Sequence, residues 1–152
     1  MSSQTADIKN SISRYLSMRE HSRQELIEKL SKKDFDMHSI LECIDEFSVK
    51  DLQSDYRYSE SYTRSKYNNH KGPNFISASL KSKGISSSTI NDVLSSYKEE
   101  DWKATAIAAL DKKTIYKNIE PNKCKTKQKM FLSGRGFTFR TIEYALNEFW
   151  KK

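Results

Sequence analysis

The side chains that could carry acid–base, nucleophilic or metal chemistry are few and widely separated in this sequence. Histidines occur only at positions 21, 38 and 70, and the two cysteines, Cys43 and Cys124, stand 81 positions apart. Metal sites and activated nucleophiles need such residues at short spacings or in recognisable motifs. No CxxC pair, Ser-His-Asp order or Gly-rich phosphate loop occurs. The sequence therefore predicts no catalytic residue, no metal site and no cofactor, and it favours a non-enzymatic protein.

Basic residues are the more informative group. The 152 residues include 27 Lys and Arg against 20 Asp and Glu, so the net charge is +7 and the pI is about 9.3. Residues 1–54 carry a net −2, residues 55–98 a net +4 and residues 99–152 a net +5. This distribution favours an anionic partner such as nucleic acid, an acidic protein surface or a membrane face. Plain surface charge that keeps the protein in solution explains the same total.

Targeting and membrane signals are missing from the sequence. The N-terminal residues MSSQTADIKN contain no apolar segment, and no run of apolar residues approaches the length of a membrane span. Two separated cysteines are typical of thiols in a reducing compartment. We therefore expect a cytoplasmic protein without a membrane partner.

Helical periodicity runs through the chain. Ile8, Ile12 and Leu16 fall on one face of a first helix. Ser22 and Glu25 have the spacing of a capping box, which predicts that a second helix begins there. Asp36 is placed to cap a third helix. The sequence thus opens with three short amphipathic helices.

The pattern of these helices recurs. The segment that begins at Leu30 aligns without gaps with segments 50 residues and a further 52 residues along the chain. Gly84 and Gly136 occupy equivalent turns, where a left-handed residue ends a helix, and Asp34 is the predicted substitute in the first copy. Five apolar positions align: Leu30/Leu80/Leu132, Phe35/Ile85/Phe137, Ile40/Ile90/Ile142, Ile44/Leu94/Leu146 and Phe47/Tyr97/Phe149.

Self-similarity at this period predicts an all-α fold of three tandem three-helix, helix-turn-helix-like repeats in an elongated, curved array. The predicted repeats are residues 1–54, 55–98 and 99–152. In the second, Pro73 suits the first turn of a helix. In the third, a looser stretch at 112–125 is broken by Pro121. Because each repeat would bury part of its thin core against its neighbour, the low apolar content, 36%, is accounted for.

Tyrosines in the second repeat admit two interpretations. Tyr58 and Tyr62 are four residues apart, which favours a core stripe over a base-stacking platform. Tyr56 and Tyr67 are freer to be exposed.

Residues 19–30 form a compact motif, R-x-H-S-x-x-E-L-x-x-K-L. Ser22 and Glu25 would cap the helix and the two leucines would pack, which leaves Arg19, Arg23 and Lys29 without an internal partner. The motif resembles the signature of the RecX family of bacterial RecA regulators. QSDYRYSESYTRSK at 53–66, the block Gly72-Pro73 followed by Leu80-x-x-Lys83-Gly84-Ile85, and Leu132-x-x-Arg135-Gly136-Phe137 resemble later blocks of that family, in its order.

The resemblance implies a regulator, mainly an inhibitor, that acts as a monomer. RecX-like proteins lie in the groove of the RecA filament on single-stranded DNA and limit strand exchange, ATP hydrolysis and the coprotease activity that triggers the SOS response, and so regulate DNA repair and recombination. We expect only weak binding to DNA alone. The residues expected to contact the filament or its DNA are Arg19, His21, Arg23, Arg57, Arg64, Lys66, Lys71, Lys81, Lys83, Lys127, Lys129, Arg135 and Arg140.

Two positions depart from the family pattern. His70 stands where the first glycine of G-x-G-P is usual, and Phe75 stands where a basic residue is common. Two other classes of function stay open. A stand-alone nucleic-acid-binding repeat protein would bind bare DNA tightly and with steep salt dependence. A helical scaffold would dock an unrelated acidic protein.

Overall fold

The computed structural model describes residues 3–112 and 120–151, and in these ranges the chain forms nine α-helices and no strand. The predicted all-α fold of three-helix repeats is confirmed. Residues 113–119 of the looser stretch lie outside the described residues. The helices are α1 Ser3–Met18, α2 Arg23–Ser31, α3 Met37–Val49, α4 Asp55–Asn68, α5 Pro73–Ser82, α6 Ser87–Leu94, α7 Glu99–Lys112, α8 Pro121–Gly134 and α9 Phe139–Trp150.

Local signals fix where the helices begin. The Ser22 hydroxyl accepts the backbone N–H of Glu25, and the Glu25 carboxylate accepts the backbone N–H of Ser22, both at 3.1 Å, so the capping box is present. Asp36 accepts the N–H of Ser39 at the start of α3. Pro73 and Pro121 each open a helix, where a missing backbone N–H costs nothing.

Two compact units divide the chain, and they do not coincide with the predicted repeats. One unit comprises Met1–Ser61 and Leu80–Ile90, and the other comprises Tyr62–Ser79 and Asn91–Lys152. The middle repeat is therefore shared between them. The repeat boundaries at 54/55 and 98/99 stay a prediction.

Each unit has an apolar core made from the repeated positions. In the first unit Ile8, Ile12 and Leu26 are fully buried and pack with the aligned residues of α3. Leu30, Leu80 and Leu132, the first aligned set, are all fully buried. Helix α1 packs on α3 and helix α7 packs on α9 in the same manner, so the repeat extends from the sequence to the packing.

The turn before the last helix of each repeat differs between copies. Gly84 and Gly136 have φ of 81° and 93°, as predicted, and Ile85 and Phe137 donate back to Leu80 and Leu132 at 3.1 and 3.2 Å. The prediction that Asp34 substitutes in the first copy is wrong. Among described non-glycine residues only Asp51 and His70 have a positive φ. The first turn closes instead by a short bond from Phe35 N–H to Lys33 O at 2.9 Å, which needs no left-handed residue.

These glycine turns dock on an earlier second helix. In the first junction, formed by Ser22 and Gln24 with residues 82–84, Ser22 Oγ donates to Lys83 O at 3.0 Å and Gln24 Nε2 donates to Ser82 O at 3.2 Å. In the second junction, formed by residues 72–75 and 135–136, Gly72 N–H donates to Arg135 O at 2.7 Å and Asn74 N–H to Gly136 O at 2.9 Å. Ser22 and Gly72 are equivalent in the repeat, as are Lys83 and Arg135, so one contact occurs twice.

The second junction predicts a sharp difference between two nearby glycines. A Cβ on Gly136 would lie 2.3 Å from the backbone N of Phe75, and its φ of 93° disfavours any L-residue, whereas a Cβ on Gly134 would meet nothing within 4 Å. Gly136→Ala should lower the free energy of unfolding by about 2–3 kcal/mol. Gly134→Ala should leave it unchanged or raise it by up to about 1 kcal/mol. Urea denaturation followed by circular dichroism measures both, and equal effects would contradict the close backbone approach.

Candidate functional site

The first junction is built on an ion pair. Arg19 donates to both carboxylate oxygens of Glu25 at 3.1 Å and to the carbonyl of Glu20 at 2.7 Å. The Glu25 side chain is only 8% exposed. Burial alone would raise the pKa of the Glu25 carboxyl, but hydrogen bonds from Arg19 and the Ser22 N–H outweigh burial and lower that pKa. Glu25 therefore stays ionised and joins the cap of α2 to Arg19.

His21 is buried, with 2% of its surface exposed, so its predicted place on a contact surface is wrong. Its Nε2 lies 2.8 Å from the Lys29 ammonium, which can only donate, and its Nδ1 lies 3.0 Å from Arg19 O, which can only accept. The ring is therefore neutral, with the proton on Nδ1. Burial, followed by the charges of Arg19 and Lys29, lowers the pKa of His21. The buried imidazole therefore links the Lys29 side chain to the backbone of Arg19.

Other cations around this junction also have internal partners. Arg23 pairs with Asp45, and Arg57 donates to Glu20 at 2.8 Å and to Asp51 at 2.9 Å. The expectation that Arg19, Arg23 and Lys29 lack internal partners is wrong. Lys83 Nζ lies 3.8 Å from a carboxylate oxygen of Glu25, and the Lys83 side chain is 41% exposed. Most of the predicted first-unit contact residues thus already meet a carboxylate, and the role assigned to them toward a partner stays a prediction.

The second junction has a different charge balance. Arg135 donates from Nε to His70 O at 2.8 Å and from Nη2 to Asn69 O, while its guanidinium carbon lies 5.4 Å from the centroid of the Phe131 ring. No described acidic side chain pairs with it. Burial lowers the pKa of Arg135, yet the group remains a cation at any physiological pH. This arginine is held in place by neutral carbonyl groups.

Both departures from the family pattern lie at this junction. His70 has φ of 62°, the left-handed conformation that glycine adopts with the least strain. Its Nδ1 lies 3.0 Å from Thr105 Oγ1. Phe75 provides a ring face for Lys71, whose Nζ lies 4.4 Å from the ring centroid. The chain thus keeps a cation beside position 75 although the residue there is aromatic.

Several predicted cations come together in the second unit. The pKa of Lys71 is lowered first by burial and then by the charges of Arg135 and Lys66. Lys66 also lies over the Tyr62 ring at 5.4 Å. Lys112, which we did not predict, bears on the same region, since it and Arg135 lower the pKa of His70 after burial. The sequence could have indicated this residue, because Lys112 lies in the last turn of α7, just before residues that interrupt the helical pattern.

The remaining predicted residues are exposed. Arg64, Lys81 and Lys127 form no ion pair with any described residue. Lys129 lies 3.6 Å from Glu143 and Arg140 lies 3.7 Å from Glu99. Exposed pairs at these distances contribute little stability, so both cations can exchange partners readily. These five side chains are free to meet an external anion.

The tyrosines follow the core interpretation. Tyr58 is 4% exposed, and Tyr56 is exposed at 46%. The expectation of an exposed Tyr67 is wrong, because its hydroxyl donates to Asp101 O and its ring packs on Tyr97 and Trp102 at 5.1 and 5.6 Å.

The repeated helices and junctions define an all-α protein of three-helix repeats, and within the described ranges no helix is long and apolar enough to span a membrane. Comparison with known proteins identifies the family. The model of the first three-helix domain of RecX matches residues 9–47, and the model of its second three-helix domain matches residues 54–94. The chain belongs to the RecX family of regulatory proteins, which is not an enzyme family.

Relatives cover nearly the whole chain. The Regulatory protein RecX of Acinetobacter baylyi is 35% identical over 133 residues, 87% of this chain and 81% of its own. That of Chromohalobacter salexigens is 29% identical over 151 residues, 99% and 98%. The crystal structure of RecX from Lactobacillus salivarius superimposes with a TM-score of 0.85 at 27% identity, over 97% of each chain.

The ion pair of the first junction gives a testable expectation. Arg19→Ala should lower the free energy of unfolding by about 1–2 kcal/mol, because it removes the partner of a buried carboxylate. It should also raise the pKa of Glu25. Since the native pKa lies below the ordinary value of 4.5, the stability from this pair is present above pH 4.5 and is lost as the pH falls through the native pKa.

Urea titrations at several pH values and carboxyl carbon NMR of Glu25 measure the two effects. Arg14→Ala, which removes an exposed arginine that lies over the Tyr15 ring, is the matched control and should change stability by less than about 0.5 kcal/mol. Equal losses in the two variants, or an unshifted Glu25 carboxyl, would refute the assignment.

Proposed function

We propose that this protein regulates the RecA recombinase, mainly as an inhibitor, by binding in the groove of the RecA filament on single-stranded DNA. In that position it would limit strand exchange, ATP hydrolysis and SOS coprotease activity, and so regulate DNA repair. The observation that carries the proposal is the match to both RecX three-helix domain models together with RecX relatives along most of the chain.

The distribution of unpaired charge supports this proposal. Exposed cations without a described carboxylate occur in the second and third predicted repeats, at Arg64, Lys81 and Lys127. The first repeat, at net −2, holds four of its eight basic side chains in ion pairs, whereas the second and third repeats carry net charges of +4 and +5. A surface that meets DNA phosphates and carboxylates of a filament needs cations that do not lose an internal partner on binding. The second and third repeats are therefore the proposed contact region.

A stand-alone nucleic-acid-binding protein is the second candidate, favoured by the net charge of +7. It would bind bare oligonucleotide tightly, with affinity that falls steeply with salt. A RecA regulator would bind the same oligonucleotide weakly alone and strongly once RecA coats it. Fluorescence anisotropy of a labelled single strand, with and without RecA, separates the two. RecA-catalysed ATP hydrolysis on single-stranded DNA, measured with a substoichiometric amount of this protein, tests inhibition directly.

Charge reversal tests the contact region. In the triple variant Arg64→Glu, Lys66→Glu, Lys81→Glu, the concentration needed to inhibit RecA ATPase should rise by about tenfold or more, because three attractive contacts become repulsive. The salt dependence of inhibition should also flatten. The change is confined to residues that are exposed or half-buried, so circular dichroism and the unfolding midpoint should stay close to those of the parent chain.

The matched control is Arg14→Glu, Lys32→Glu, Lys50→Glu, which changes the net charge equally at exposed cations of the first repeat, outside the proposed region. It should inhibit nearly as well as the parent. Inhibition lost equally in both variants would assign the effect to net charge, and parental inhibition by the first variant would show that the contact lies elsewhere.

A further inference from the structure

A cavity of about 190 Å³ in the second unit is lined by His70, Ala109, Lys112, Phe131 and Arg135. Three elements form it: the turn between α4 and α5, the last turns of α7 and the end of α8. The polar side chains in the lining are those of His70, Lys112 and Arg135, and all three are basic. A cavity of this size holds a small oxyanion and its nearest waters.

Arg135 is a cation with no carboxylate partner in this cavity. Its Nε and Nη2 groups donate to the carbonyls of His70 and Asn69, which leaves Nη1 without a described acceptor. All the acidic side chains of the sequence lie in the described ranges, and no ion pair links any of them to Arg135. Because a half-buried arginine normally pairs with an anion, the missing counter-charge points to an external one.

His70 can contribute a hydrogen-bond donor to the cavity. Thr105 Oγ1 donates its proton to Tyr67 O at 3.1 Å, so it must accept from His70 Nδ1 at 3.0 Å. The remaining nitrogen, Nε2, has no partner among the described residues. Burial, then the charges of Lys112 and Arg135, lowers the pKa of His70 and keeps the free imidazole neutral. An anion in the cavity would act against burial and these two charges, and so would raise the pKa of His70.

The partial negative charges at nearby helix carboxyl ends do not cancel the positive charge of the residues that line the cavity. Arg135 and Lys112 lie near the carboxyl ends of α4, α7 and α8, each of which carries roughly half a negative charge. Lys66 and Lys71 add two more cations near Arg135. The local charge therefore stays positive after the helix dipoles are counted.

We propose that this cavity binds a phosphate group through Arg135 Nη1, Lys112 Nζ and His70 Nε2. Donors from three separate elements suit the tetrahedral arrangement of phosphate oxygens better than the two coplanar oxygens of a carboxylate. The phosphate can come from a nucleic-acid backbone or from inorganic phosphate. This inference goes beyond the proposed regulation of RecA and requires no RecA, so the two can fail separately.

Binding should be coupled to a proton. Lys112 on α7, Arg135 at the end of α8 and Lys71 in the adjoining turn are the charged groups near His70, and all are cations. A bound phosphate therefore raises the pKa of His70, and the complex takes up a proton on Nε2. Affinity rises as the pH falls. A phosphodiester is the proper probe, since its own charge is constant over this range.

The test is an NMR titration of the full-length chain without RecA, followed through backbone amide shifts. The probes are inorganic phosphate, a four-nucleotide thymidylate with hydroxyl ends, and glutarate as a carboxylate control. Shifts around residues 70–72, 109–112 and 131–136 are expected with phosphate or oligonucleotide. Tighter binding of the oligonucleotide assigns a backbone source, and binding of inorganic phosphate alone assigns the free ion. Equal binding of glutarate, or no shifts at the cavity, overturns the proposal.

Three variants complete the test. Lys112→Gln should weaken phosphate binding by at least about threefold. Lys98→Gln, an exposed lysine elsewhere on the second unit, should change it by less than about 1.5-fold and serves as control. His70→Gly relaxes the left-handed backbone and should abolish the strengthening of oligonucleotide binding between about pH 7.5 and 5.5. An unchanged pH dependence in this variant, or parental affinity in Lys112→Gln, overturns the assigned donors.

Discussion

The structure depends on one backbone contact, the docking of a glycine turn against the start of an earlier second helix. At the second junction the contact is so close that a single methyl group at Gly136 would overlap the backbone of Phe75. The carbonyls at the end of one helix accept N–H groups from the first turn of another, so two sets of otherwise unpaired polar groups satisfy each other. At the first junction the donor is the Ser22 hydroxyl, and at the second it is the backbone N–H of Gly72.

This docking decides which cations are left for a partner. Side chains near the first junction must neutralise or brace a buried carboxylate, and Arg19, Lys29 and Lys83 all lie around Glu25 or His21. Away from the junctions, cations such as Arg64 and Lys127 have no such task in the described structure. Pairing does not follow the repeat boundaries. Arg19 and Arg23 of the first repeat and Arg57 of the second meet carboxylates near the first junction, whereas Arg14 and Arg64 are exposed without an ion pair among the described residues.

The sequence predicted the periodic features well, because they follow from neighbours along the chain. The capping box at Ser22 and Glu25, the proline starts of α5 and α8, and the left-handed Gly84 and Gly136 are local. Contacts between distant residues were missed for the same reason. Nothing in the sequence near Arg23 or Arg57 indicates that Asp45, Glu20 or Asp51 lies beside it. The burial of His21 was missed because a polar residue before a helix cap is usually exposed, and only the tertiary arrangement of Tyr15, Lys29 and Arg19 covers it.

Comparison of the two junctions explains their different charge balance. The repeat places Phe75 where the first copy has Glu25, and Arg135 where the second copy has Lys83. In the first junction the carboxylate lies between Arg19 and Lys83 and offsets part of their positive charge. In the second an apolar ring takes that position, so Lys71 gains the aromatic face of Phe75 but no counter-charge, and Arg135 lies over the separate ring of Phe131. The donors differ as well, because Ser22 and Gln24 donate from their side chains whereas Gly72 and Asn74 donate from the backbone. Glu25 occupies the equivalent place in the first junction, so the docking of the repeats does not by itself require the positive charge of the second junction.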